Sequence, residues 1–140
     1  MLKNLSPIIE PQLLYELAKM GHGDEIVFSD IHFPAHSFNS NVLQARGCEV
    51  SDLIEAITQL IELDQYVTDN AVMMETVGDD TYPDGLISEY KSKLPVDAKL
   101  TYIERFAFYE RAKKATCVVV TGTTRKYGNI ILKKGVTPTN

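Results

Sequence analysis

Residues 11–30 read PQLLYELAKMGHGDEIVFSD, and this stretch places a predicted helix directly before a predicted strand. Pro11 suits the first position of a helix, and the leucines that follow it share one helical face. Gly21 is expected to close this helix in the left-handed conformation. The apolar run at 26–28 is typical of a buried strand. A helix that leads into a buried strand is the unit from which α/β sheets are built.

The same alternation continues along the rest of the chain. Ser51 is the predicted N-cap of a second helix, whose apolar residues recur at helical spacing as far as Ile61. The acidic, turn-rich segment 78–85 is predicted to be a surface loop. We therefore expect one α/β domain over residues 1–140, with a central, mostly parallel or mixed sheet flanked by helices. The remaining predicted helices are 86–94 and 106–115, and the remaining predicted strands are 71–74, 116–121 and 129–132.

The composition indicates a globular protein whose main partner is not nucleic acid. Of 140 residues, 44% are hydrophobic and 24% are charged, and the net charge is -5 without any basic stripe. The first twenty residues hold no long apolar stretch, so we expect neither a signal peptide nor a membrane span. The two cysteines make a poor disulfide framework, which favours a reducing, cytoplasmic location.

All three histidines fall within residues 21–37, GHGDEIVFSDIHFPAHS, around the first predicted strand. His22 lies between two glycines, which would let another molecule approach closely, although a solvated histidine in a tight turn fits equally well. Asp30 follows the strand, where it could bind a ligand or simply accept backbone N–H groups. A histidine and a carboxylate at neighbouring strand ends would suit proton transfer.

The residue types in this segment also allow other chemistry. The three histidines and Asp30 match the ligand types of zinc, but His32 and His36 bracket Pro34, which disfavours the helical geometry that would aim both at one ion. HExxH, CxxC and GxSxG motifs are lacking from the sequence, so we expect no metal site and no serine hydrolase.

Two later segments carry further candidates. Arg105 precedes an aromatic group and could donate paired hydrogen bonds to hydroxyls, or it could form a surface ion pair. Tyr127 and Asn129 flank Gly128 at the start of a predicted strand, where turn chemistry alone would also explain them.

Three blocks of the sequence together resemble the L-fucose mutarotase family, which is related to the D-ribose pyranases. They are MGHGDEIVFSDIHFPAHS (20–37), ERFAFYERAKKA (104–115) and KYGNIILKKGVTP (126–138), within a match from Leu2 to Pro138. The resemblance implies an α/β fold, a ring-like homo-oligomer that is decameric in characterised members, and sites near subunit contacts. It also implies interconversion of the α and β anomers of L-fucose or a similar monosaccharide, without metal or cofactor.

The resemblance also assigns roles to single residues. Ribose pyranases tend to have GHTD where residues 21–24 read GHGD, and a histidine at the position of Arg105, so both positions favour the fucose branch. Ribose pyranase activity and a sugar-binding module without catalysis stay as alternatives. The family pattern makes His22 the proton donor, with Asp30, Arg105, Tyr127, Gly128 and Asn129 binding the sugar.

Overall fold

Helices and strands alternate along residues 1–139, which are the residues that the computed structural model describes. Only the last two strands follow each other without a helix between them. The elements are α1 (Pro11–Lys19), β1 (Glu25–Ser29), α2 (Ala35–Phe38), β2 (Val42–Ala45), α3 (Val50–Ile57), β3 (Ala71–Met74), α4 (Leu86–Lys93), β4 (Leu100–Ile103), α5 (Arg105–Lys114), β5 (Cys117–Thr121) and β6 (Ile130–Lys133).

The six strands form one mixed sheet in the order β2-β5-β1-β6-β3-β4. Pairs β2·β5, β1·β5 and β3·β4 are parallel, whereas β6 is antiparallel to both of its neighbours, β1 and β3. Ile130, the first residue of β6, therefore lies opposite Phe28 and Met73, near the carboxyl ends of β1 and β3. This arrangement confirms the predicted α/β fold, and it brings the loop before β6 to the edge where the parallel strands end.

Helices cover both faces of the sheet, because successive residues of a strand point to opposite sides. Ile26 and Phe28 of β1 belong to the larger apolar core, which contains α1, α3 and α4. Val27 belongs to the smaller core on the other face, with α2 and α5. All three of these β1 side chains are fully buried, which contributes about 1.5–3 kcal/mol each relative to an exposed position.

Several predicted boundaries are confirmed and three predicted helix ends are wrong. Helix α1 begins at Pro11 as expected, but Met20 follows it in an extended conformation, and the left-handed residue is Gly23 with φ of 88°. Ser51 lies inside α3 rather than at its cap, and α3 ends at Ile57 rather than at Ile61. The N-cap is Glu49, whose backbone N–H donates to Asp52 Oδ2 at 3.3 Å.

The sequence did not predict α2, β2 and β4. Strands β2 and β4 lie at the two edges of the sheet, and their residues are mostly half-buried, so neither makes a continuous apolar run. The four-residue helix α2 is too short to show a helical period. Within residues 1–139, no helix is long and apolar enough to span a bilayer.

Candidate functional site

A cavity of about 260 Å³ opens at the edge of the sheet where β1 and β3 end. This volume is slightly below the usual range for drug-sized ligands, which suits a smaller molecule. Its position follows the general rule that ligands of open α/β sheets bind beyond the carboxyl ends of the strands. The polar groups in its lining include Asp30, Asp80, Arg105, Lys126, Tyr127 and Asn129.

Asp30 directly follows β1 and is the most buried charged group of this cavity, with 2% of the residue exposed. Its carboxylate Oδ1 accepts a hydrogen bond from the His32 N–H at 2.9 Å, and its own N–H donates to Asn129 Oδ1 at 2.8 Å. Burial raises the pKa of the Asp30 carboxyl, and N–H groups of His32, Phe33 and Gly128 partly oppose the shift. The site thus holds a buried acceptor in a fixed position.

Arg105 is the first residue of α5, after the N-cap Glu104. Its guanidinium lies over the Phe106 ring, 4.6 Å from the ring centroid. Within residues 1–139, Arg105 forms no ion pair, and its buried Nε has no hydrogen-bond partner. A guanidinium that lines a cavity and forms no ion pair with the protein can donate hydrogen bonds to the hydroxyl or carboxylate groups of a ligand.

Tyr127 has a left-handed backbone conformation, with φ of 63°, that is uncommon outside glycine. Its hydroxyl donates to Asp80 Oδ2 at 2.9 Å and accepts the Val77 N–H at 3.2 Å. The Lys126 ammonium and then the Tyr127 hydroxyl lower the pKa of Asp80. These contacts tie the 78–85 loop to the cavity. The sequence did not identify Asp80 as a site residue, because it is one of several acidic residues in the predicted 78–85 loop.

Gly128 lies where no larger residue fits. A Cβ atom there would come within 2.9 Å of the Arg125 carbonyl oxygen and 3.0 Å of the Tyr90 hydroxyl. The Tyr90 hydroxyl donates to the Gly128 carbonyl at 3.0 Å. This close packing fixes the neighbouring Asn129, whose side chain bonds to the Asp30 backbone.

His22 lies at the other end of β1, in the turn after α1. At about 3.3 Å per residue, the strand separates His22 from Asp30 by roughly 20 Å. The expectation that the two lie at neighbouring strand ends is wrong within one chain, because they flank opposite ends of the same strand. The His22 side chain is 48% exposed, and its Nε2 lies 3.0 Å from Asp64 Oδ1. Sequence reasoning did not identify Asp64.

The other two histidines do not gather around His22. His32 lines the cavity, and its Nε2 lies 3.0 Å from the Thr124 carbonyl oxygen. His36 lies on the exposed face of the short helix α2. Among residues 1–139, no three histidine, cysteine or carboxylate side chains are grouped to hold a metal ion.

Comparison with known proteins gives consistent results over nearly the whole chain. A model of the RbsD / FucU transport protein family matches residues 3–137. The fucose mutarotase of Streptococcus pneumoniae, solved in complex with L-fucose, is 38% identical with a TM-score of 0.91, over 98% of this chain and 100% of that one. FucU from Bifidobacterium longum is 39% identical with a TM-score of 0.84, over 97% and 100%.

A more distant structure shares the fold. Bacillus subtilis RbsD, solved in complex with D-ribose, is 20% identical with a TM-score of 0.76, over 99% of this chain and 100% of that one. At this identity the similarity concerns the arrangement of helices and strands only.

Proposed function

This chain belongs to the RbsD / FucU family, and we propose that it is an L-fucose mutarotase, an isomerase that interconverts the α and β anomers of the sugar. The observation that carries the proposal is a buried carboxylate, Asp30, in the same cavity as the guanidinium of Arg105, whose buried Nε has no hydrogen-bond partner within residues 1–139. Sugar hydroxyls both donate and accept hydrogen bonds, so they can satisfy both groups at once. Two structures 38–39% identical to this chain, described as a fucose mutarotase and as FucU, support the assignment.

The apolar part of the cavity favours a deoxy sugar. Phe33, Pro34, Met74 and Val77 line it beside the polar groups. L-fucose carries a methyl group at C5, and D-ribose carries none. Burying one methyl group contributes about 0.8 kcal/mol, which would favour fucose over an otherwise similar sugar by about fourfold.

The proposed reaction opens the sugar ring and closes it on the other face. His22 as imidazolium gives a proton to the ring oxygen while the C1–O5 bond breaks, and the anomeric hydroxyl loses its proton to water as C1 becomes a carbonyl. After rotation about C1–C2, O5 attacks the other face of C1. The O5 proton then returns to His22, and water returns a proton to O1, so no proton is gained or lost. Asp30, Arg105, Tyr127, Gly128 and Asn129 would hold the ring meanwhile.

We propose that a second copy of the chain supplies His22 to this cavity, in a ring-like homo-oligomer such as a decamer. The separation of roughly 20 Å between His22 and Asp30 supports this, since proton transfer needs hydrogen-bond contact with the sugar. His22 is half exposed, and Tyr66, whose ring centroid lies 5.5 Å from that of His22, is 81% exposed. Tyrosine is enriched in protein interfaces, so the exposed Tyr66 supports a contact between chains at this position.

Mixing two inactive variants tests the shared site. At L-fucose concentrations well below the wild-type KM, we expect His22→Ala and Arg105→Ala chains to be nearly inactive alone. Co-assembled one to one, they should recover about one quarter of wild-type activity, because about a quarter of random pairings join an intact His22 to an intact Arg105. Anomer exchange is measured on mixed assemblies made by co-expression. A mixture no more active than its parts would show that each site draws on one chain.

The main test of the function is NMR exchange spectroscopy on the anomeric protons of L-fucose and D-ribose, with and without protein. We expect exchange cross-peaks that appear only with protein and mainly with fucose. Exchange mainly with ribose would move the assignment to a ribose pyranase. If the folded, assembled protein accelerates anomer exchange of neither sugar, the remaining assignment is a sugar-binding module without catalysis. A loss of activity in chelator would instead indicate a metal enzyme.

Sugar binding is expected to weaken at acid pH through Asp30. Burial raises the pKa of this carboxyl, so it takes up a proton at a higher pH than an exposed aspartate, whose pKa is about 3.9. The ionised form accepts hydroxyl hydrogen bonds more strongly, so KM should rise as pH falls through the raised pKa. Measuring KM for L-fucose as a function of pH tests this prediction. The Asp30→Asn variant, which lacks the ionisable carboxyl, should have a high KM that does not vary with pH. A constant wild-type KM would contradict it.

We propose the cytoplasm as the location. Both cysteines are free, with Cys48 half-buried and Cys117 buried, and burial raises the pKa of the Cys117 thiol to about 12. Free, unreactive thiols are typical of proteins in a reducing compartment, which supports the proposal.

A further inference from the structure

Asp64 is a buried carboxylate in contact with the histidine to which we assign the proton transfer. It lies in the segment between α3 and β3, and 4% of its side chain is exposed. Its Oδ1 lies 3.0 Å from His22 Nε2. Within residues 1–139, this is the sole hydrogen bond of the His22 side chain. The proposed mechanism so far gives Asp64 no role.

The structure holds Asp64 in place from three directions. Its N–H donates to the Lys133 carbonyl at 3.0 Å, which attaches it to the end of β6. Its carbonyl accepts the side-chain amide of the buried Asn70 at 3.0 Å. Its Oδ1 accepts the Tyr66 N–H at 3.0 Å, and this bond, followed by the contact with His22, lowers the pKa of the carboxyl. The carboxylate is therefore ionised at neutral pH and fixed in orientation.

The turn that carries His22 is fixed as well. The Gly23 N–H donates to the Lys134 carbonyl at 2.8 Å, and the Gly21 N–H donates to Asp24 Oδ2 at 2.7 Å. Gly135 lets the chain after β6 lie directly against the segment that carries Asp64, because a Cβ atom at position 135 would come within 2.9 Å of the Asp64 Cα. The pair His22–Asp64 thus joins two rigid segments.

An ionised carboxylate accepts hydrogen bonds and cannot donate them, so it selects one form of the imidazole. With Asp64 accepting from Nε2–H, the neutral ring has its proton on Nε2 and an unprotonated Nδ1. We propose that Asp64 is a positioning residue, which holds this tautomer and ring orientation so that Nδ1 of His22 gives the proton to the ring oxygen and takes it back. This inference rests on the proposed function.

A purely structural role for Asp64 predicts a different response to Asp64→Ser. Oδ1 serves both Tyr66 and His22, and a serine hydroxyl can still accept the Tyr66 N–H, as serine does in turns of this kind, so the turn should be kept. The ionised carboxylate that accepts from Nε2–H is removed, so the imidazole is no longer held in one tautomer. We expect kcat for L-fucose to fall by roughly 10- to 100-fold, the usual cost of removing an orienting partner from a functional histidine, with KM little changed.

The experiment combines kinetics with a direct view of the histidine. Protein labelled with 15N-histidine is measured by solid-state NMR at about pH 8, where an ordinary histidine is neutral. The His22 signals are those missing from His22→Gln. We expect a protonated Nε2 and a bare Nδ1 in the wild type, and a mixture of the two neutral tautomers in Asp64→Ser. Asp24→Asn is the matched control, because Asp24 lies in the same turn but forms no bond with the His22 ring.

Each outcome decides the proposal. A wild-type His22 protonated on Nδ1 would overturn it, as would an Asp64→Ser protein with unchanged tautomer and kcat. An equal loss in Asp24→Asn would assign the effect to general charge and overturn it too. A wild type with the expected tautomer that accelerates neither sugar would instead refute the proposed function, and with it the role of Nδ1 in catalysis.

Discussion

Replacing His22 with alanine is expected to lower kcat for anomer exchange of L-fucose by about 100- to 10,000-fold, the usual contribution of a positioned acid–base group. KM should change little, because Asp30 and Arg105 still bind the sugar. The side chain is half exposed and lies in a turn held by backbone bonds, so the fold should tolerate its loss. Exchange spectroscopy over a range of fucose concentrations separates the two constants.

The same samples need a check on assembly, since the proposed site requires a neighbouring chain. Light scattering compares the size of the His22→Ala particle with that of the wild type. Tyr66→Phe is a matched control, because it changes a neighbouring ring without removing a proton donor of the mechanism. Wild-type kcat in an assembled His22→Ala protein would exclude the role proposed for this histidine.

Replacing Arg105 with alanine is expected to raise KM by about 10- to 150-fold. A hydrogen bond to a charged group contributes about 1.5–3 kcal/mol, and each 1.4 kcal/mol changes affinity tenfold. Because Arg105 has no carboxylate partner within residues 1–139, its removal breaks no ion pair and the effect should fall on the ligand. KM is measured for L-fucose by the same exchange method.

Two further variants make this result specific. Arg105→Lys keeps the charge but loses the planar paired donors, so its KM should lie between those of the wild type and the alanine variant. Lys113→Ala removes an exposed cation near the far end of the same helix, and its KM should equal the wild-type value. An unchanged KM in Arg105→Ala would place the sugar elsewhere.

The sequence was most informative where a strand is buried on both faces. The apolar runs of β1, β3, β5 and β6 predicted the bounds of those strands to within one residue, as the burial of their side chains explains. The half-buried edge strands β2 and β4 gave no such run. Residue type alone makes Ser51 a predicted cap, whereas Glu49 and Asp52 fill that role in the structure through two reciprocal hydrogen bonds.

The site was predictable in its parts but not in its arrangement. Asp30, Arg105 and Asn129 come together only because β6 runs antiparallel between β1 and β3, and strand direction is not encoded in the local pattern. Asp64 was unpredictable for a similar reason. It is 42 positions from His22, and the contact depends on the backbone bond between Asp64 and Lys133.

The central position of β6 has a consequence for how the chain is made. In the part of the chain that the structure describes, strands β2, β5 and β1 on one side, and β3 and β4 on the other, are hydrogen-bonded into one sheet only through residues 130–133. A ribosome delivers the chain from the N-terminus, so most of the protein emerges before the strand that unites its two halves. We expect nascent chains that stop before Ile130 to keep two unpaired strand edges and to depend on chaperones until the last strand inserts.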